Sequence, residues 1–131
     1  MERRRVALVT GSSHGLGAAI ALRLAADGLA VAVNYRSGAA PAAELVAAIE
    51  ERGGAAAAFG ADVTDERAVG ELVAAIERDL GAVEVLVLNA TGPQPDAPLE
   101  AVRWDDHVAQ LTSSSRARSS WRARSWPACA P

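Results

Sequence analysis

The 131-residue chain contains no lysine; apart from two histidines, every basic side chain is arginine. It has one tyrosine, Tyr35, and one cysteine, Cys129, close to its last residue. A lone thiol cannot close an internal disulfide, so it carries no information on redox compartment. Aromatic residues make up only 4% of the chain. An all-β fold would draw more heavily on Thr, Tyr and Phe. No apolar run approaches the roughly 20 residues that span a bilayer. Arg3-Arg4-Arg5 is followed only by Val6 to Val9 before Thr10-Gly11, short of the apolar core of about 7–15 residues of a secretory signal. The chain therefore reads as cytoplasmic. Its net charge of −3 creates no general attraction to nucleic acid or an anionic membrane, and neither is expected as a partner. No acidic residue follows Asp106.

What is present is aliphatic: hydrophobic residues make up 50% of the chain, mostly Ala, Val and Leu. This length suits one domain with a packed core and is too short for two. Val6 to Val9 is a short continuous apolar run, as expected of a parallel strand buried on both faces. Gly15 to Ala26 has helical spacing, with Leu16, Ile20 and Leu24 on one side, and Gly28 is its stop signal. Leu29 to Val33 is a second strand. Ala42 to Glu51 is a second helix, with Leu45, Val46 and Ile49 toward the core and Gly53-Gly54 at its end. Ala55 to Phe59 is a third strand. Thr64 is the expected N-cap of a third helix running to about Leu80, although Arg67 departs from a full capping box. Val83 to Leu88 is a fourth strand. Strands alternating with helices of this length imply right-handed βαβ units and a parallel sheet covered by helices on both faces.

Where the first strand turns into the first helix the sequence reads Thr10-Gly11-Ser12-Ser13-His14-Gly15-Leu16-Gly17. Gly11 permits a tight turn, and the missing side chains at Gly15 and Gly17 let a pyrophosphate approach the backbone and the helix pack on the sheet. The helix N-terminus supplies N–H groups and partial positive charge for an anion. A structural turn that binds nothing is the plainer alternative.

The spacing Thr-Gly-x-x-x-Gly-x-Gly resembles the short-chain dehydrogenase/reductase family. Further motifs arrive in that family's order: Asn34-Tyr35-Arg36-Ser37 closing the second strand, Asp62-Val63 after the third, Asn89-Ala90 after the fourth, and Trp104-Asp105-Asp106 in the next helix. The last is frequent in bacterial carbonyl and 3-oxoacyl-carrier reductases. The resemblance covers residues 1–111 and implies the N-terminal half of a Rossmann-like, doubly wound α/β sheet with strand order 3-2-1-4. It also implies hydride transfer between a nicotinamide dinucleotide and a carbonyl or alcohol substrate, in proteins that are usually homo-oligomers.

The roles implied by the resemblance fall on particular residues. Gly11, Ser13, His14, Gly15, Leu16 and Gly17 would form the pyrophosphate loop. Asp62 would accept a hydrogen bond from the adenine amino group, with Val63 packing nearby. Asn89 and Ala90 would line the path to the nicotinamide ribose. The end of the second strand, Asn34 to Ser37, would read the adenosine ribose. A carboxylate there would bind a free 2′-hydroxyl; this chain instead has Tyr35 and Arg36, with Ser37 adding a hydroxyl. Arginine's planar fork matches a phosphate, and His14 occupies a position where NADP-preferring relatives often carry Arg, so NADP(H) is favoured over NAD(H). Plainer alternatives remain: a helix-terminal acid for Asp62, a turn residue for Asn89, an exposed charge for Arg36. No metal site is expected.

The chain also departs from the family. The usual Asn-Asn-Ala-Gly is here Leu88-Asn89-Ala90-Thr91-Gly92, and the family's relay Asn falls near Leu111. The family's catalytic residues are Ser, Tyr and, four residues on, a Lys that lowers the Tyr pKa from near 10. This chain has no Lys, its one Tyr is committed to the ribose site, and no Tyr-x-x-x-Lys follows Ser113-Ser114-Ser115. From Thr112 to Pro131 the composition becomes rich in Ser and Arg, with Trp121 and Trp126. Read one nucleotide out of register, the codons after Leu111 permit a stretch like the family's next helix, so this tail is read as frameshifted and the domain as truncated. The leading expectation is a catalytically inactive NADP(H)-binding portion of an oxidoreductase. A non-catalytic nucleotide-binding or dimerising module is the second reading, and nucleic-acid binding by the Arg-rich tail the third.

Overall fold

The computed structural model of the chain describes residues 3–92 and 96–112. The Ser/Arg-rich tail read from the sequence lies outside these residues, apart from Thr112. The elements alternate as β1 (Val6–Val9), α1 (Gly15–Ala26), β2 (Ala30–Tyr35), α2 (Ala39–Glu51), β3 (Ala55–Gly60), α3 (Glu66–Asp79) and β4 (Val83–Val87). A short 3-10 turn at Leu99–Ala101 and a helical stretch over 104–112 follow. All strands pair in parallel, in the order β3-β2-β1-β4. This is the Rossmann-like sheet expected from the sequence.

The central strands β1 and β2 are buried on both faces and are apolar up to Asn34, whereas the edge strands β3 and β4 are only partly covered. Alternate side chains of a strand point to opposite faces. Val6 and Leu8 of β1, with Ala30 and Ala32 of β2, pack against Val69, Leu72, Val73 and Ile76 of α3. On the other face Val9, Val31 and Val33 meet Ala21 of α1 and Ala42, Leu45 and Ile49 of α2. The β1–β4 register shifts between Val6, opposite Val83, and Ala7, opposite Val85. Glu84 is the extra residue, and its exposed carboxylate pairs with Arg3 at 3.0 Å and Arg5 at 3.4 Å.

Three local expectations are corrected. In α1 the buried residues are Gly17 and Ala21; Ile20 and Leu24 pack only partly against the core, and Leu16 is 70% exposed. The helix lies so close to the sheet at its first turn that only small side chains fit beneath it. The N-cap of α3 is Asp65, not Thr64: its carboxylate accepts from the N–H groups of Arg67 at 2.9 Å and Ala68 at 3.3 Å. Helix α2 begins at Ala39 rather than Ala42, with Pro41 in its first turn, where the missing N–H has no intrahelical partner to lose.

Candidate functional site

Leaving β1, the chain crosses to β2 on one side, and β4 lies on the other. The strand order therefore reverses beside β1, and at the C-terminal ends of the strands this leaves a crevice. A cleft of about 920 Å³ occupies that place.

Its floor is the turn between β1 and α1, held by buried polar groups. Ser12, fully buried, donates through Oγ to the Val9 carbonyl at 2.7 Å and accepts from the Asn34 N–H at 3.1 Å. The Asn34 side chain accepts from the Gly11 N–H at 3.1 Å and donates to the carbonyls of Phe59 at 3.3 Å and Ala61 at 3.2 Å. From the other side, Thr10 Oγ1 accepts from the N–H groups of Asn89 and Ala90, both at 3.0 Å. The Asn89 amide donates to the Thr10 carbonyl at 3.1 Å and the Gly11 carbonyl at 3.0 Å. The loop is thus tied to β2, β3 and β4 together. Asn34 and Asn89 border the cleft, but these amide N–H groups serve the loop.

The glycines act as the turn requires. Gly11 has φ +61°, and a Cβ there would stand 2.9 Å from Ala90 Cα. On Gly17 a Cβ would lie 2.5 Å from the Gly11 carbonyl oxygen and 2.6 Å from Asn89 Nδ2. Gly15 has φ +59° with open space around it, so its backbone faces the cleft uncovered.

Two helix N-termini meet this space with their N–H groups unclaimed by side chains. Helix α1 follows His14 and α2 follows Gly38; neither has a side-chain cap or an acid in its first turn. Helix α3, by contrast, is capped by Asp65 and carries Glu66 in its first turn. Uncapped N–H groups at the positive end of a helix dipole suit an anion. Ser13 Oγ lies 3.0 Å from His14 Nδ1 beside the first of these termini.

At the adenosine end proposed from the sequence, Tyr35 of β2 is in register with Gly60 of β3. Its ring atoms would lie 3.2 Å from a Cβ on Gly60, so the ring covers the space that glycine leaves. Arg36 follows, largely exposed, with Nε 3.7 Å from Asp62 Oδ2. Asp62 Oδ1 accepts from the Thr64 hydroxyl at 2.6 Å and the Thr64 N–H at 2.9 Å. The Thr64 hydroxyl first, and then its N–H, hold the Asp62 carboxyl below its ordinary value; burial opposes this and Arg36 adds to it. Asp62 is therefore a carboxylate at neutral pH.

The structure places Gly11, Ser13, His14, Gly15, Leu16, Gly17, Asn34 to Ser37, Asp62, Val63, Asn89 and Ala90 around one cleft. Sequence reading missed the hydroxyls of Thr10 and Ser12, whose burial is the only signal of their role. It also missed the wall supplied by Asp105, Val108, Ala109 and Thr112 of the 104–112 helix. Their spacing of three, one and three residues is a helical stripe, and that pattern was available.

Residues 5–114 match the family described as short chain dehydrogenase. Over 86 residues, 66% of this chain and 33% of the relative, it is 50% identical to 3beta-hydroxysteroid dehydrogenase 1 of Eggerthella lenta. A short chain dehydrogenase from Burkholderia cenocepacia in complex with NADP superposes with a TM-score of 0.78 and 41% identity, covering 93% of this chain and 49% of that one. A blue fluorescent protein from a metagenomic library, in complex with NADPH, gives 0.77 and 39%, covering 97% of this chain and 51% of that one. The chain thus spans about a third of that curated relative and half of these solved chains. It belongs to the short chain dehydrogenase family.

Proposed function

We propose that the cleft binds a nicotinamide dinucleotide, NADP(H) in preference to NAD(H), as the cofactor-binding part of an oxidoreductase acting on carbonyl or alcohol substrates. The observation that carries the preference is Arg36 at the end of β2, with the uncapped N-terminus of α2 beside it. Both favour a 2′-phosphate, and no carboxylate occupies residues 34–37 to receive a free 2′-hydroxyl. The two solved relatives with NADP or NADPH support this reading.

Each part of the site has a defined task. The N–H groups at the start of α1 hold the pyrophosphate, which approaches over Gly15 and Gly17. Asp62 accepts from the adenine amino group, and Asn89 and Ala90 border the nicotinamide ribose. When bound, the dinucleotide supplies or accepts the hydride. The protonating tyrosine–lysine pair of the family has no counterpart in these 131 residues: there is no lysine, and the one tyrosine is packed against Gly60. The activity proposed for this chain is accordingly binding without turnover.

The test is fluorescence titration of the 131-residue chain with NADPH and with NADH. NADPH should bind more tightly, and Arg36→Asp should invert the order, weakening NADPH by about tenfold or more through loss of a charge-assisted hydrogen bond. Equal affinities in the parent chain overturn the assignment.

A further inference from the structure

Asp62 and Arg36 stand at the same end of the cleft, one from the loop after β3 and one from the end of β2. The hydrogen bonds of Thr64 fix Asp62 Oδ1, which leaves Oδ2 turned to Arg36 Nε at 3.7 Å. The only cation at residues 34–37 therefore faces an anion before any ligand arrives. A carboxylate this close offsets part of the guanidinium's field and repels any phosphate that approaches it.

We propose that Asp62 is a specificity-determining residue for the 2′ position: by holding Arg36 it weakens the discrimination between a 2′-phosphate and a 2′-hydroxyl. Granted the dinucleotide reading, Asp62 has two separable effects. Its contact with adenine strengthens binding of phosphorylated and unphosphorylated nucleotides alike. Its charge acts chiefly against the nucleotide that carries a 2′-phosphate. The ratio of the two affinities isolates the second effect, because loss of the adenine contact cancels in it. Thr64 acts through Asp62, as a positioning residue.

The probes are adenosine 2′,5′-bisphosphate and adenosine 5′-monophosphate, titrated calorimetrically into the full 131-residue chain at low and high salt. They require only the adenosine end of the cleft. Asp62→Asn should weaken the monophosphate and raise the bisphosphate-to-monophosphate affinity ratio by about two- to fivefold, the scale of an exposed ion pair. The rise should shrink in high salt and be clearly smaller when Arg36→Ala is present in both chains, leaving only the direct repulsion by Asp62. Asp62→Ser, which removes the charge but keeps a hydroxyl, is the second variant should Asp62→Asn lose its circular dichroism spectrum. If Arg36→Ala lowers the ratio while neither Asp62 variant raises it, the restraint by Asp62 is refuted and the dinucleotide reading stands. If the parent chain itself shows no preference for the bisphosphate and Arg36→Ala changes nothing, the dinucleotide reading of Arg36 fails first.

Discussion

The backbone of Gly17 lies against the carbonyl oxygen of Gly11, leaving 2.5 Å to where a Cβ would stand. That oxygen is also an acceptor for the Asn89 amide, so it cannot retreat without breaking the tie to the residues after β4. Gly17→Ala should therefore destabilise the fold by about 1–3 kcal/mol, the range of overpacking in a filled interior, and should abolish dinucleotide binding. Gly15→Ala has open space and carries only the cost of its positive φ, about 1 kcal/mol. Urea denaturation of the two variants, with NADPH titration, checks the contrast; a loss for Gly17→Ala no larger than that for Gly15→Ala would sink the overpacking argument.

Asn34 is a second structural hinge of the site. Its side chain is buried and satisfies the Gly11 N–H and the Phe59 and Ala61 carbonyls at once. Asn34→Ala would leave those groups without their partner, at about 1–3 kcal/mol for a buried unsatisfied group. Asn34→Asp should be worse, because a carboxylate would face two carbonyl oxygens. The order parent, Ala, Asp in chemical denaturation midpoints is the expected result.

Asp62 sets an acid limit. Its carboxyl titrates below the ordinary aspartate value because of Thr64, with Arg36 a smaller contributor. A depressed folded-state pKa stabilises the fold above the unfolded value of about 3.9 and loses that contribution as pH falls through the folded value. Thr64→Val removes the hydroxyl donor and should move the Asp62 titration upward, toward the unfolded value. Carboxyl-carbon NMR of the parent and variant measures it, and an unmoved titration would sink the assignment to the Thr64 hydroxyl.

Much of this was legible in the sequence, and the failures have physical reasons. Runs such as Val6–Val9 announce strands because burial on both faces removes all polarity, and the glycine spacing announces the turn because a positive φ at Gly11 and Gly15 and close approach at Gly17 disfavour other side chains. The buried side of α1 was misread because Leu16, Ile20 and Leu24 carry the stronger hydrophobic signal, while close packing selects Gly17 and Ala21. Thr64 and Asp65 are adjacent and both able to cap; the choice is settled by Asp62, which takes the Thr64 hydroxyl and N–H. The ties of Thr10 to Asn89 and Ala90 join residues far apart in the chain, and no local pattern encodes such a partnership.

Turnover should be absent from the 131-residue chain. Purified protein mixed with NADPH and a panel of ketones, aldehydes and 3-oxoacyl thioesters should leave the reduced-nicotinamide absorbance unchanged. Tyr35→Phe, which keeps the ring over Gly60, should alter nucleotide affinity by no more than about tenfold, one neutral hydrogen bond at most. Oxidation of NADPH that depends on a carbonyl substrate would overturn the reading of this chain as a binder without turnover.

Strand β1 is central, yet its neighbours are encoded at very different distances: Val6 pairs with Ala30 on one side and Val83 on the other. The Thr10 hydroxyl reaches partners 77 to 80 positions downstream. Contacts of such separation form late, since closing a long loop costs entropy before its contacts repay it. During synthesis, a nascent chain that has emerged only through α3 holds all the glycines of the turn and none of the bonds from Asn89 and Ala90 that brace it. On the proposed dinucleotide reading, the cofactor therefore meets the fully braced turn only after β4 has paired with β1. If stabilisation by a bound dinucleotide, set by mass action on the folded state, depends on that brace, ligand should slow unfolding more than it speeds folding.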